Sequence, residues 1–269
     1  MANLIIVPHD LTAIGDAALR YADFLAKHRG AEITVLHIVS DKSKSAAAMK
    51  ALEESIEKYK SKEATDVLIN PIIRVGSIFE DIGGIAEELE ARLVVMGTHG
   101  VKGMQKLFGS YAIKVVTSTS VPFLVVQETS PPEKINNIVV PIDLTKESLQ
   151  IINPAAEIAL THGAKVHILA EKQADPRLSQ QIKVRISLVK KEYQERNVDS
   201  EIHLMEPSGS FYKKIKAFAK EKNAELIAMA YYSESLFPQF DGFAQSLLTN
   251  DERIPCLIVN SKLLSKLYY

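Results

Sequence analysis

The amino-acid sequence predicts an α/β protein made of two tandem domains, each a five-stranded, parallel, doubly wound sheet with helices on both faces. Two observations lead to this prediction. The second half of the chain repeats the first at an offset of 133 residues, so that Val7-Pro8 returns as Val140-Pro141. Within each half, short apolar runs alternate with longer amphipathic segments, which is the pattern of parallel strands joined by helical crossovers.

The repeat extends from the first predicted strand to the last, which indicates a duplication. Its matched positions, first copy before second, are Asp10/Asp143, Thr12/Thr145, Gly30/Gly163, Gly76/Gly209, Met96/Met229, Gly109/Gly242, Pro122/Pro255 and Val126/Val259. A chain of 269 residues is long enough for two such domains. We place them at residues 1–128 and 137–269, with Pro131-Pro132 inside a linker at 129–136.

Five strands are predicted in the first copy, at residues 3–7, 32–39, 66–75, 93–96 and 123–127. They are apolar or β-branched runs bounded by glycine, proline or polar residues, as expected of strands buried on both faces. Four helices are predicted between them. The first is capped by Thr12 and ends at Gly30, and the second spans residues 44–63. The third begins at Gly76-Ser77 and the fourth at Gly109-Ser110.

The second copy predicts the same order of elements. Its strands fall near residues 138–141, 165–170, 199–205, 225–230 and 256–260, with helices between them. Residues 261–269 are expected to add a partly helical segment after the last strand.

Composition and charge restrict the classes of function. The chain is 46% hydrophobic and 24% charged with a net charge of −1, which does not indicate a nucleic-acid-binding face. Its N-terminal apolar run is too short for a signal peptide or a membrane span. The single cysteine, Cys256, lies in an apolar run and is expected to be buried. We expect a cytoplasmic protein that binds neither nucleic acid nor membrane.

Ligands of doubly wound sheets bind beyond the carboxyl ends of the strands, where the strand order reverses. In the first copy, residues 8–12 and 96–110 follow two such strand ends. In the first of these segments, Asp10 can accept hydrogen bonds from a ribose or an adenine.

The second segment is rich in glycine. Gly97 and Gly100 allow the backbone to approach a ligand closely. Gly109-Ser110 opens a helix, whose first N–H groups favour phosphate oxygens, and Lys102 or Lys106 adds a positive charge.

These motifs resemble those of universal stress proteins, and the resemblance covers both halves. The motifs are Val7-Pro8-His9-Asp10, VLHIV at 35–39, VMGTHG at 95–100, Gly109-Ser110 and VPFLVV at 121–126. The resemblance implies a Rossmann-like fold of the adenine-nucleotide alpha hydrolase kind, with strand order 3-2-1-4-5. It also implies binding of ATP or AMP, with Mg²⁺ accompanying ATP.

Members of this family that bind nucleotide have a glycine, two residues, a glycine, nine residues, and then a glycine with a hydroxyl residue. Gly97, Gly100 and Gly109-Ser110 match this pattern, with eight residues, 101–108, in place of nine. The resemblance further assigns Asp10 and the main chain of Ile38 to the adenosine. The expected cofactor-binding residues are Pro8, His9, Asp10, Ile38, Met96, Gly97, Gly100, Lys102, Gly109 and Ser110.

The second copy resembles family members that do not bind nucleotide. Its residues Ala230, Ser233 and Phe243 stand where the first copy has Gly97, Gly100 and Ser110. Four aromatic residues on this segment either pack over the degenerate site or form a contact surface for a partner; they are Tyr231, Tyr232, Phe237 and Phe240.

Some of these residues also have structural explanations. Asp10 and Gly109 are repeated as Asp143 and Gly242 in the copy that lost the other glycines, so helix capping and helix–sheet packing remain open for them. His37 and His99 have no cysteine, carboxylate or histidine partner at metal-ligand spacing. We therefore assign no metal ligands.

The leading hypothesis is a stress-response protein that binds an adenine nucleotide in its N-terminal domain alone. The alternative is an interaction or regulatory module that binds no nucleotide. The sequence contains no recognisable catalytic set, so at most slow ATP hydrolysis is expected. Expected partners are an unidentified protein and, within the chain, the two fifth strands pairing as a pseudo-dimer that can dimerise further.

Overall fold

The structure, a computed structural model, describes residues 3–98, 115–116, 118–231 and 250–260. The chain forms two compact units, Met1–Pro132 and Glu133–Tyr269, which divide in sequence at the proline pair of the linker segment. The helix expected at Gly109-Ser110 and the tail at 261–269 lie outside the described residues.

The first unit alternates strands with helices as predicted. Its strands are β1 (Leu4–Pro8), β2 (Glu32–Val39), β3 (Ile69–Val75), β4 (Leu93–Thr98) and β5 (Phe123–Gln127), and its described helices are α1 (Ala13–Arg29), α2 (Ser45–Glu63) and α3 (Ile78–Glu88). All neighbouring strands are parallel, in the order β3-β2-β1-β4-β5. The predicted fold class and strand order are therefore confirmed for this unit.

Local sequence explains where α1 begins and ends. The Thr12 hydroxyl accepts a hydrogen bond from the Ile14 N–H at 3.3 Å, which satisfies one of the N–H groups left open at a helix start. Gly30 ends the helix in the left-handed conformation, at φ 60°, as glycine does most easily. The apolar face between these caps is buried against the sheet and forms much of the core of the unit.

The second unit repeats this architecture. Its strands are β6 (Asn137–Pro141), β7 (Lys165–Glu171), β8 (Ser200–Met205), β9 (Leu226–Tyr231) and β10 (Cys256–Asn260), and its described helices are α4 (Ile152–His162), α5 (Pro176–Glu195) and α6 (Phe211–Glu221). The strands are parallel in the order β8-β7-β6-β9-β10. Numbered within the unit, this is again 3-2-1-4-5.

The constant offset between the copies fails at one element, the third strand. Thr34 pairs with Asn70 in the first unit, whereas the equivalent His167 pairs with Glu201 in the second. Thr34 and His167 are 133 residues apart in the sequence, whereas Asn70 and Glu201 are 131 apart. Compared with β3, β8 is therefore displaced by two residues along its neighbouring strand. A displacement of two residues keeps every side chain on its own face of the sheet, because side chains alternate with a period of two.

The sheet strands carry the core of each unit, and Cys256 is part of it. Its side chain is 1% exposed, as the sequence predicts. Burial raises the pKa of the thiol to about 12, so the thiolate is scarce at neutral pH. Among the helices of the described residues, none has the length and hydropathy needed to cross a membrane.

Candidate functional site

A crevice opens in the first unit between the carboxyl ends of β1 and β4. These strands pair through Ile5↔Leu93 and Ile6↔Val94, and beyond this point β4 continues alongside β5 as far as Thr98↔Gln127. The chain leaves β1 towards β2 on one side and returns to β4 on the other. The crevice is therefore the point where the strand order reverses, which is where such sheets bind ligands.

The crevice contains a pocket of about 220 Å³. Six of the expected cofactor-binding residues line it, namely Pro8, His9, Asp10, Ile38, Met96 and Gly97. The other four, Gly100, Lys102, Gly109 and Ser110, lie outside the described residues. The remaining lining comes from α1 and α3, from neighbouring strand ends and from the helical residues 115–116, namely Ile14, Gly15, Leu36, His37, Ile78, Ile82, Thr98 and Val115.

His9 is buried at the wall of this pocket and fixes the turn that follows β1. Its Nδ1 accepts a hydrogen bond from the Leu11 N–H at 3.0 Å, so the ring proton lies on Nε2, which faces Asp16 Oδ1 at 3.2 Å. Burial lowers the pKa of His9 below its ordinary value, against the opposing attraction of Asp16. The ring is therefore neutral at pH 7 and holds Leu11 in its unusual backbone conformation, at φ 63°.

His37 lies next to His9 and is oriented by it. Its Nδ1–H donates to the His9 carbonyl at 2.7 Å, which leaves Nε2 with a lone pair in the neutral ring. This Nε2 has no hydrogen-bond partner among the described residues. Since His37 is half-buried and lines the pocket, its Nε2 is a polar group available to a ligand.

Asp10 holds Thr12, the residue that caps α1, and does not cap the helix itself. Its Oδ1 accepts hydrogen bonds from the Thr12 N–H at 3.0 Å and the Thr12 hydroxyl at 2.6 Å. In the second unit, Asp143 Oδ1 holds Thr145 in the same way, at 2.7 and 2.5 Å. The other carboxylate oxygen of Asp10, Oδ2, has no hydrogen-bond partner within the described part of the chain, so a ligand contact is compatible with the contact to Thr12.

Two glycines let α1 approach the strands closely. A Cβ atom on Gly15 would lie 2.7 Å from the His9 ring, and a Cβ atom on Gly97 would lie 2.4 Å from the Ile14 carbonyl oxygen. Both distances are too short for any real carbon atom. Gly97, which the sequence singled out as ligand evidence, is thus also required by packing in this unit.

The same positions in the second unit carry different side chains. Ile142 and Ala170 stand where the first unit has His9 and His37. Glu171 and Tyr231 stand where it has Ile38 and Thr98. Ile142 and Ala170 are 0% exposed, and Tyr231 is buried. Glu171 forms an ion pair with Lys214. The two histidines of the first pocket are therefore replaced by apolar residues, and Ile38 is replaced by a carboxylate.

Sequence reasoning found the strand-end residues of the site and missed its apolar walls and the role of His37. The walls come from helices whose apolar faces look like ordinary core positions, so no local pattern marks Ile14, Ile78 or Ile82 as pocket residues. Gly15 did carry a signal, because a glycine inside a helix costs about 1 kcal/mol relative to alanine and therefore needs a packing reason.

Comparisons with known proteins agree with this architecture. A family model described as the universal stress protein family matches residues 1–127 and 134–240. Universal stress protein G of Escherichia coli O157:H7 is 28% identical over 144 residues, which cover 47% of this chain and 100% of that protein. Universal stress protein G of Salmonella typhi is 29% identical over 143 residues, with the same coverage.

Two solved structures share the fold over nearly the whole chain. A universal stress protein from Archaeoglobus fulgidus superimposes with a TM-score of 0.74 at 18% identity, covering 97% of this chain and 99% of that one. The functionally unknown protein PA1789 from Pseudomonas aeruginosa has a TM-score of 0.67 at 17% identity, with 99% and 95% covered. At these identities the likeness concerns the fold alone.

Proposed function

The chain belongs to the universal stress protein family, and on this premise we propose that its first unit binds an adenine nucleotide, ATP, ADP or AMP, in the pocket between β1 and β4. The observation that supports this most directly is the position of the pocket. It lies at the reversal of strand order and is lined by six of the residues that are expected from the sequence to bind the ligand.

The pocket suits the adenosine part of the ligand better than the whole nucleotide. Its volume of about 220 Å³ is below the roughly 300–1,000 Å³ of sites that enclose drug-sized molecules. Its apolar walls can face the base, while Asp10 Oδ2 and His37 Nε2 offer hydrogen bonds to ribose or base atoms. The phosphates then extend towards the glycine-rich segment that begins at Gly97, as the family pattern implies.

We further propose that the second unit does not bind the same ligand. The buried Tyr231 takes the position of Thr98, and Glu171 brings a carboxylate to the position of Ile38. The two units therefore serve as matched controls for each other.

Isothermal titration calorimetry of the full chain with ATP, ADP and AMP tests the proposal. We expect one nucleotide per chain. Asp10→Ala and Asp143→Ala remove equivalent hydrogen bonds to a threonine and should cost similar stability, roughly 0.5–1.5 kcal/mol per bond lost. Only Asp10→Ala should weaken binding, by about tenfold or more, which corresponds to about 1.4 kcal/mol.

Equal weakening by the two variants, or the absence of nucleotide binding by the natural sequence, would reject nucleotide binding at this pocket. The second result would favour the alternative of an interaction module, which the mainly apolar pocket lining also suits. That alternative predicts a thermal midpoint that does not respond to nucleotide. A phosphate-release assay with Mg²⁺ separates binding from slow hydrolysis. The cytoplasmic location, the partner protein and the pairing of the fifth strands stay predictions.

A further inference from the structure

Three side chains of the second unit bring together atoms that commonly bind metal ions. One ligand atom from each of His167, Glu201 and His203 lies within 4.8 Å of the other two. The sheet register places them there: His167 on β7 is directly opposite Glu201 on β8, and His203 follows two residues later on the same face. None of these residues takes part in the proposed nucleotide site.

The two imidazoles are already arranged as a pair of ligands. His167 Nδ1 and His203 Nε2 are 3.1 Å apart. Two nitrogens that bind one ion at about 2.0–2.1 Å each are separated by a similar distance when the angle at the metal is slightly over 90°. His203 Nε2 is 3.9 Å from Glu201 Oε2, so a small rotation of that exposed carboxylate completes a third ligand.

Asn137 fixes the protonation of the buried imidazole. Its Oδ1 lies 3.0 Å from His167 Nε2 and accepts a hydrogen bond from the N–H of that nitrogen. The lone pair of His167 is therefore on Nδ1, which faces His203. An oxygen acceptor behind a ligating histidine is a regular feature of protein metal sites, where it sets the tautomer and the ring orientation.

The surroundings shield the imidazoles and leave the carboxylate accessible. The Phe218 ring of α6 lies 4.6 Å from the His203 ring and 5.9 Å from the His167 ring. His167 is 4% exposed, whereas half of the Glu201 side chain is exposed. An ion at this position would be reached from the solvent and would keep a position for water.

The charges nearby are mixed. The Lys165 ammonium is 3.1 Å from Glu201 Oε2 and competes with a cation for this carboxylate. Lys222, at the end of α6, lies over the Phe218 ring and also contacts Glu221. The second carboxylate oxygen of Glu201 allows Lys165 and a metal ion to be bound at the same time, because an ionised carboxylate has several acceptor positions.

The fold itself does not require these three residues. In the sheet register of the first unit, the equivalent positions hold Thr34, Asn70 and Ile72. Burial at the three positions is the same in both units: buried, exposed and intermediate. A hydrogen-bonded histidine pair with a merely structural role is the competing explanation, but one copy of the fold is built without it.

We propose that His167, Glu201 and His203 form a binding site for one divalent transition-metal ion of the Zn²⁺ type, with Asn137 as the residue that positions His167. Two imidazole nitrogens and a carboxylate are a ligand set that suits Zn²⁺, and three protein ligands leave at least one position for water.

Titration of the metal-free full chain with Zn²⁺ by calorimetry tests this, and Co²⁺ serves as a coloured substitute whose visible absorption reports nitrogen ligation. Each variant introduces the residue found at the equivalent position of the first unit. The variants are Glu201→Asn, the double variant His167→Thr/His203→Ile, and Asn137→Leu. We expect one ion per chain, loss of binding in the double variant, and a roughly 10–100-fold loss in Asn137→Leu. The exposed His28→Gln is the control and should bind Zn²⁺ as the natural sequence does.

The outcomes separate the two explanations. If the natural sequence binds no Zn²⁺, or if the double variant binds it equally well, the site does not exist. Circular dichroism of each variant without metal reports whether it is folded. Because Glu201 is exposed, Glu201→Asn leaves the core unchanged and should still weaken Zn²⁺ binding at least tenfold, so the proposal stays testable if the double variant does not fold.

Discussion

At the residue scale, the candidate nucleotide site depends on one buried histidine. His9 accepts a hydrogen bond at Nδ1 from the Leu11 N–H and donates one from Nε2 to Asp16. The bond from Leu11 needs the neutral ring, since a protonated Nδ1 would face the N–H donor of Leu11. The turn that shapes one wall of the pocket is therefore coupled to the protonation of a single side chain.

This coupling predicts a pH dependence of stability. The folded pKa of His9 lies below the ordinary value of 6.5, so the unfolded chain takes up the proton first as the pH falls. The free energy of unfolding should therefore be highest above pH 6.5 and should decrease as the pH falls towards the folded pKa. The measurement is urea unfolding between about pH 7.5 and about pH 5.5.

His9→Asn isolates this contribution, because an asparagine oxygen can still accept from the Leu11 N–H and does not titrate. The variant should lose less stability over this pH interval than the natural sequence. The pKa values of His167 and His203 are also lowered and act in the same direction in both proteins, so they cancel in the comparison. An equal loss in the variant would show that His9 is not the group responsible.

At the scale of the elements, the bounds of the strands were predicted more accurately than the register with which neighbouring strands pair. The bounds of β2 and β5 coincide with the predicted strands, because runs rich in apolar and β-branched residues are a local signal. The two-residue displacement of β8 could not be predicted, since register depends on contacts between distant residues. For the same reason, the sequence did not reveal the His167–Glu201–His203 cluster, whose members become neighbours through that register.

Packing requires a glycine at Gly15 of α1 but not at Gly84 of α3. A Cβ atom on Gly15 of α1 would lie within 2.8 Å of three atoms of the His9 ring, whereas a Cβ atom on Gly84 of α3 would have no atom within 4 Å. Helix propensity favours alanine at both positions by about 1 kcal/mol. Packing opposes it at Gly15 alone.

Gly15→Ala should therefore destabilise the protein by roughly 1–3 kcal/mol, the usual cost of overpacking, and should weaken nucleotide binding by moving His9. Gly84→Ala is the matched control and should stabilise the protein by up to about 1 kcal/mol. Urea unfolding of both variants provides the measurement. If Gly15→Ala proved as stable as Gly84→Ala, the close packing of His9 on α1 would be wrong.

At the scale of the whole molecule, the duplication separates the needs of the fold from those of a ligand. Features present in both units, such as the Asp10–Thr12 and Asp143–Thr145 contacts, belong to the fold. Features present in one unit alone are candidates for function. By this criterion the first unit carries the polar pocket at His9 and His37, and the second carries the candidate metal cluster.

This division predicts that the two ligands act on different parts of the chain. A ligand that binds the folded form raises the free energy of local opening, by about 2.7 kcal/mol at a concentration of one hundred times its Kd. In hydrogen–deuterium exchange, AMP should therefore slow exchange in peptides covering residues 9–16 and 36–39. Zn²⁺, added alone, should slow exchange in peptides covering 165–171 and 200–205.

Variants identify the source of each effect. Asp10→Ala should abolish the protection by AMP and leave that by Zn²⁺ intact, and His167→Thr/His203→Ile should do the reverse. Protection by AMP at residues 142–148 or 226–231 would instead place the nucleotide in the second unit. That result would contradict the division, because the bulk of Ile142 and Tyr231 and the carboxylate of Glu171 would then have to tolerate the ligand that we assign to His9, Asp10 and His37.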